Sequence, residues 1–544
     1  MQRRSRFLYC PPSTTRCPLL LIVLAVGCYR NPGTGGTGEI VVPANRLLEV
    51  NPFDPSTAAM PATRPTSRPA TQPSTVDLSI ERVREMALRN NLDLRVSLLN
   101  PTIAKESLSA AEAQYEAVFL ADAGYSSTDQ ATASRLTSAQ GNSVTGNVGV
   151  RAPLITGGTA SVELPMNRFE TNNAFSTLNP AYTADLQAGF SIPVLRGAGV
   201  YYNTQQIRIA FYEHEATLAT TKLEVTRVLA DVERSYWALY AAKQELLVRQ
   251  KQYELAVAQL ERARRQLVAQ VTAEVEVTRA DSGVSDTIEQ VITAENSVRL
   301  HQRDLKRIMN DPTLGVESES AIVPSTLPNA TEFRLEADKL VNAAMRDRME
   351  LLATELRIAE EASNVRVAKS DLLPLVTLNY QYSQNGLGKS LGSAYDLLQR
   401  NRFDDHAVGV HLEIPIGNQV AKSRLRGALA RRLQQLATKE QQAIQIKEDV
   451  LNSLDTFNLT WQRILAARKR VQLNARLVEA EIRQFNLGLR TSTEVLDAEA
   501  KLADARSSEV AALTDYQISQ VDIAYATGNV LGEARVVWQP TGAK

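Results

Sequence analysis

The 544-residue sequence predicts a mainly α-helical protein with a small β part, in which long coiled-coil helices lead into a β-barrel that one chain cannot close. Three observations predict it. The chain is an internal tandem repeat, each copy carries a pair of strongly alternating segments, and each copy contains one very long stretch free of proline.

The N-terminus comes first in chain order. Residues 1–28 carry Arg3, Arg4, Arg6 and Arg16, no acidic residue, and the apolar run Leu19 to Val26 before Gly27 and Cys28. Eight apolar residues are too few to span a bilayer but suit the core of an export signal. Ala25-Val26-Gly27-Cys28 reads as a lipoprotein cleavage box, which makes Cys28 the expected lipidation site; an ordinary cleaved signal is the alternative. Cys10, Cys17 and Cys28 are the three cysteines of the sequence, so the body after residue 28 has no thiol for a disulfide or for catalysis. Residues 29–76 are rich in Pro, Thr, Ser and Gly, too poor in apolar surface to offset the entropy of ordering, and read as a flexible tether.

The two repeats follow. Ala87 to Leu94 aligns with Ala344 to Leu351 at an offset of 257, and Glu276-Val277 aligns with Glu494-Val495 at an offset of 218. The shrinking offset places insertions in the first copy, mostly between residues 126 and 185. Each copy reads helix, strand, strand, helix. The first spans 77–312, with helices 77–115, 203–270 and 274–310 and strands near 117–126 and 184–194. After a linker at 313–332, the second spans 333–530, with helices 334–372, 420–487 and 492–527 and strands near 375–383 and 407–416. Residues 531–544 form a tail.

The strands are read from period-two alternation. Val376, Leu378, Tyr380 and Tyr382 alternate with Thr377, Asn379, Gln381 and Ser383, and Val408, Val410, Leu412 and Ile414 alternate with Gly409, His411 and Glu413. Their length suits tilted strands crossing a bilayer, although a half-buried sheet looks the same locally. Open sheet edges are not tolerated in hydrocarbon, so four such strands must be pooled between copies, and three copies give twelve. The inserted Gly157-Gly158, between alternating runs, reads as a hairpin and is expected at the outer mouth, with extra wall strands left open.

The helices are read from their length and seam. No proline occurs between Pro193 and Pro312 or between Pro415 and Pro540. Breaks near Thr272 and Gly488 divide each stretch into a long and a shorter helix. Val277, Val284, Val291, Val298 and Leu305 recur every seven residues, as do Val495, Leu502, Tyr516 and Ile523, with Glu509 interrupting. A seven-residue repeat selects left-handed coiled-coil packing.

Sixty basic residues balance sixty acidic ones, and removal of the four N-terminal arginines leaves the remainder slightly acidic. That balance argues against nucleic-acid binding. His214, His301, His406 and His411 lack metal-ligand spacing, and no phosphate loop, nucleophile elbow or zincin motif is present. Neither an enzyme nor a cofactor is expected.

The segment Phe485-Asn486-Leu487-Gly488-Leu489-Arg490-Thr491-Ser492-Thr493-Glu494-Val495-Leu496-Asp497-Ala498 resembles the helix turn of the outer membrane efflux protein family (TolC-like), in its lipoprotein-type form. Leu372-Leu373-Pro374-Leu375, Ile414-Pro415-Ile416-Gly417 and Pro193 to Gly199 carry the same resemblance, which extends over roughly residues 77–532. It implies a homotrimer whose β-barrel sits in the outer membrane and whose helices form a periplasmic tunnel, an exit duct for efflux or type I secretion. It also implies a periplasmic adaptor and an inner-membrane pump as partners. By position, Glu494 and Asp497 look like acidic rings at the periplasmic aperture, and Arg490 and Glu276 like its closing links. Residues three apart share a helix face, and three-fold symmetry would make each acid a ring. First-turn acids favoured by the helix dipole are the plainer reading. In the first copy Val268-Ala269-Gln270-Val271 lacks the glycine of the second, so its turn, near Glu276, departs from the family pattern. A periplasmic adaptor or a coiled-coil structural lipoprotein is the rival reading.

Overall fold

A computed structural model describes residues 75–132, 138–270, 273–487 and 489–534; Cys28, the export signal, nearly all of the tether and most of the tail lie outside the described residues. In chain order the elements are β1 (Thr75–Leu78), α1 (Ile80–Asn90), α2 (Leu92–Ser97), α3 (Asn100–Ala113), β2 (Val118–Asp129), β3 (Gln140–Pro153), β4 (Thr159–Thr171), β5 (Ala181–Ala184), β6 (Leu186–Pro193), α4 (Val200–Asn203), α5 (Gln205–Val268) and α6 (Glu274–Met309). The linker holds β7 (Ala321–Pro324). The second copy adds α7 (Ala337–Asp347), α8 (Met349–Ser370), β8 (Leu375–Gln384), β9 (Leu387–Gly388), α9 (Leu391–Gln399), β10 (Asp404–Glu413), α10 (Gln419–Asn486), α11 (Ser492–Ala526) and α12 (Val530–Glu533).

The long helices α5 and α10 have 64 and 68 residues, so each runs roughly 100 Å at 1.5 Å per residue. Each folds back on a shorter partner, α6 or α11. The heptad rows lie along the seams of these pairs: on α6 Val298 and Leu305 are buried and Val277, Val284 and Val291 half-buried, beside buried Ala280 and Ala294, and on α11 Val495, Leu502, Tyr516 and Ile523 are buried beside Ala498, Ala505 and Ala512. Small residues on the seam let the backbones approach closely. Tyr516 stacks on Phe457 with ring centroids 5.0 Å apart, which fastens α11 to α10. Among the described residues no helix is long and apolar enough to cross a membrane.

The shorter helices depart from expectation. The expected helix 77–115 is three helices preceded by a strand, and the expected helix 334–372 is two. The breaks at Asn91 and Arg348 are equivalent under the offset of 257. Asn91 leaves helical geometry and its side chain accepts from the Leu94 amide at 2.9 Å, capping α2. Pro101, lacking an amide hydrogen, then opens α3. Arg348 is extended at the same point and is held by Glu350 at 2.6 Å and Asp449 at 3.0 Å. A parallel pair, β1 with β7, ties the start of the body to the linker. Its four-residue strands are too short to show a period.

The larger sheet runs β10-β8-β6-β4-β3-β2, with β5 and β9 attached beside β4 at one end. Here two expectations are corrected. The insertion between residues 126 and 185 is not a mouth loop: β3 and β4 enter the sheet between β2 and β6, so the chain offers six long strands rather than four. The Gly157-Gly158 turn is not at the outer mouth either. The Gly199 amide donates to Thr156 O at 2.8 Å, so the turn sits beside the entry to α5. A Cβ on Gly158 would lie 2.0 Å from Ser191 O, and its φ is +107°. Only glycine fits there.

Candidate functional site

The site has two parts at opposite ends of the long helices: the strand wall and the helix-tip turns.

In the wall, directly opposed residues share a face, and the registers align apolar rows that together reach all six strands. Phe119, Val150, Val162 and Ala188 are consecutive neighbours from β2 to β6, continued by Tyr382 on β8. Ala160, Phe190, Tyr380 and Val408 form the next row. The other face is polar and internally bonded. Asn147 Nδ2 donates to Glu163 at 3.0 Å, Ser143 Oγ to Asn167 at 2.8 Å, and Ser191 Oγ to Asn379 at 2.7 Å. All of β10 and nearly all of β2 are exposed in the single chain, with Val408 at 72%. A contiguous apolar face of this kind marks a surface that meets lipid or another protein. The sheet therefore has one face for an apolar medium, one for water, and two unpaired edges.

A collar joins wall to helices. Arg196 pairs with Glu413 at 3.1 Å across the strand ends. Tyr201 is sandwiched by Arg208 and Arg366, 3.6 and 3.7 Å from its ring centroid. The Tyr202 hydroxyl donates to Asp371 at 2.7 Å; burial, with help from that carboxylate, pushes its phenol up to about 12. It stays protonated and keeps its bond at any physiological pH.

At the tips, the α10–α11 turn is built around Glu494. Its Oε2 accepts the Thr491 amide at 2.8 Å in a capping box, and its Oε1 accepts from Arg490 Nη1 at 2.5 Å. The Thr491 amide, with Arg490 behind it, holds this carboxyl below the usual carboxylate range, so Glu494 is ionised near neutrality. Arg490 also bonds Gln484 at 2.9 Å and approaches Glu481 at 3.4 Å. Asp497 pairs with Lys501 at 2.6 Å. Glu494 and Arg490 are thus brought together, and Asp497 lies one turn further along α11. Glu276 lies in the other turn, 2.5 Å from Arg279. The partners described for Arg490 all belong to its own turn and not to α6.

The first-copy turn solves the same problem with different residues. Gln270, the position equivalent to Gly488, adopts φ +59°. A side chain in that left-handed region is strained. Ala273 stands where Thr491 does and cannot cap, which leaves Glu276 outside any capping box. Nearby, a Cβ on Gly283 would lie 3.4 Å from Leu496, so α6 and the second turn of α11 pack in contact. Sequence reasoning passed over Lys501 and Arg279, although their spacings from Asp497 and Glu276 are those of helical ion pairs. Among the described residues no cluster of His, Cys, Asp and Glu is arranged to hold a metal ion.

Residues 340–529 match the family described as Outer membrane efflux protein. The sequence is 22% identical over 339 residues to Outer membrane protein TolC of Vibrio cholerae serotype O1, covering 61% of this chain and 75% of that protein. The fold is similar to the Campylobacter jejuni CmeC outer membrane channel, with a TM-score of 0.62 at 14% identity over 83% of this chain and 85% of that one. It is also similar to the open state of the Neisseria gonorrhoeae MtrE outer membrane channel, with a TM-score of 0.59 at 15% identity over 91% of this chain and all of that one.

Proposed function

We infer that this chain, an outer membrane efflux protein through its residues 340–529, is the outer-membrane exit duct of a tripartite efflux pump or type I secretion system. The observation that carries the reading is the one-sided apolar wall, open at both edges and continuous with helices of 64 and 68 residues. Only association can satisfy those edges in lipid, and a ring of copies turns the helices into a hollow cylinder. A homotrimer is the assembly proposed, with a periplasmic adaptor and an inner-membrane pump as partners at the tips. Extraction from membranes that requires detergent, together with an oligomer on gels that collapses to monomer on heating, is the expected behaviour. A purified body that is monomeric without detergent would overturn the duct.

Lipid anchoring through Cys28 belongs to the same proposal. Labelling with a tagged fatty acid should be lost in Cys28→Ser, and label retained in that variant would reject the anchor.

At the tip, Glu494 and Asp497 are proposed to line the periplasmic aperture as acidic rings, with Arg490 and Glu276 near its closing links. Ring carboxylates bind cations at a constriction. Glu494 also holds its own turn, so the informative change keeps the shape of the acceptor. In Glu494→Gln with Asp497→Asn, block of single channels by polycations in planar bilayers should weaken several-fold. Unchanged block would remove both residues from the aperture.

A further inference from the structure

We propose that the inserted β3–β4 hairpin is part of the membrane wall, so that each copy contributes six strands and a trimer closes a barrel of eighteen with a widened exit; this rests on the duct reading above.

The registers are the first argument. β3 pairs over twelve positions with β2 and over thirteen with β4, and β4 pairs in turn with β6, which leaves no gap in the hydrogen bonding from β2 to β10. A hairpin folded aside as a loop or plug would leave β2 to pair with β6 directly. The second argument is pattern. The apolar face of β3 and β4, with Val148 and Val150 facing Leu164 and Val162, continues the lipid-type face of the other four strands and ends toward the β4–β5 side where Val144 faces Arg168. Its opposite face carries Asn147, Arg151 and Glu163, bonded among themselves as polar groups lining water would be. A segment without a membrane side has no reason to keep both faces in phase with the wall.

The third argument is direction. Six strands alternating in direction give the sheet edges of opposite sense, so β2 of one copy meets β10 of the next antiparallel, the arrangement that an all-antiparallel closed barrel needs. The fourth is arc length. β2 continues α3, β6 follows α5, β8 continues α8 and β10 precedes α10, while the hairpin is wedged between β2 and β6 with no helix of its own. Four helices at about 8–10 Å spacing span roughly 32–40 Å of circumference. Six strands about 4.8 Å apart and tilted by about 40° span roughly 38 Å, whereas four span roughly 25 Å. Six strands fit the helical cylinder beneath them. Barrel diameter grows roughly linearly with strand number, so eighteen strands in place of twelve open the lumen about 1.5-fold, or about twofold in cross-section.

The test uses the full chain reconstituted in vesicles. Fluorophores on Val148→Cys and Leu164→Cys should be quenched by brominated lipid as strongly as one on Val410→Cys, while one on Phe175→Cys in an outer loop should not. The pair Phe119→Cys with Phe190→Cys, on β2 and β6, should form no disulfide within a chain, because two strands separate them. Ala123→Cys on β2 combined with a cysteine scan along β10 should link copies into dimers and trimers. If the hairpin labels stay unquenched and the β2–β6 disulfide forms while copies still crosslink, the wall has four strands per copy and the inference falls with the duct intact. If Val410→Cys is unquenched and no copies crosslink, the duct reading itself fails.

Discussion

Arginine in place of Val408 will prevent this protein from assembling, whereas arginine at the adjacent Ala407 will be tolerated. Val408 sits near the middle of β10, opposite Tyr380 on the apolar face, and Ala407 opposes Gln381 on the polar one. A cation on the lipid side of a barrel costs about 2–4 kcal/mol at the membrane midplane, and a three-fold assembly would incur that cost in every copy. On the lumen side the same side chain reaches water. The readout is the heat-sensitive oligomer in extracted membranes, absent for Val408→Arg and present for Ala407→Arg. Equal behaviour of the two variants would mean that the faces have been assigned wrongly or that the wall does not meet lipid.

The second large effect lies where the repeats are clasped. Tyr236 on α5 is fully buried, its ring set edge-on to Trp237 with centroids 5.4 Å apart. Its hydroxyl accepts the Thr326 amide at 2.9 Å and donates to Leu78 O at 3.2 Å, bridging β1 to the residues just after β7. Tyr236→Ala removes a core aromatic and both bonds, and should cost about 3–5 kcal/mol. Tyr236→Phe keeps the packing. Because Leu78 O also accepts the Ser325 amide, that variant strands mainly the Thr326 amide, at about 1–3 kcal/mol. Protease resistance of the β1 and β7 segments in the folded protein should fall in that order. Equal resistance of the two variants would show that packing has no part in the clasp.

Much of the architecture was legible because it is periodic. The valine row from Val277 to Leu305 could only be a helix seam, and the alternation at Val376 to Tyr382 could only be a two-faced strand. What escaped has no period. β1 and β7 are four residues each and exist through each other. The Asn91 break was visible in principle, since asparagine is a strong cap, but Arg348 breaks its helix for the sake of Glu350 and Asp449, residues that only the fold brings near. The Gly157-Gly158 turn showed that a hairpin exists without showing which end of the sheet it occupies, and that is why the insertion was expected at the mouth. At the tips, the shared face of Glu494 and Asp497 could be read from their spacing. So could a second fact: each has a cation four residues away. The structure makes both pairs, so the acids sit partly neutralised within one chain.

The clasp between β1 and β7 also bears on the order in which the protein can be made. Ile80 donates to a hydroxyl on Thr326, 246 positions later, so the first repeat closes as a single ring of chain. Closing a loop of that length costs several kcal/mol of chain entropy before any contact compensates. On the export route proposed here, the leading end must wait, with its apolar strand uncovered, until more than half of the polypeptide has been threaded through the inner membrane. Among the described residues, the topology thus leaves the first strand of the body waiting longer for its partner than any other strand paired within the chain.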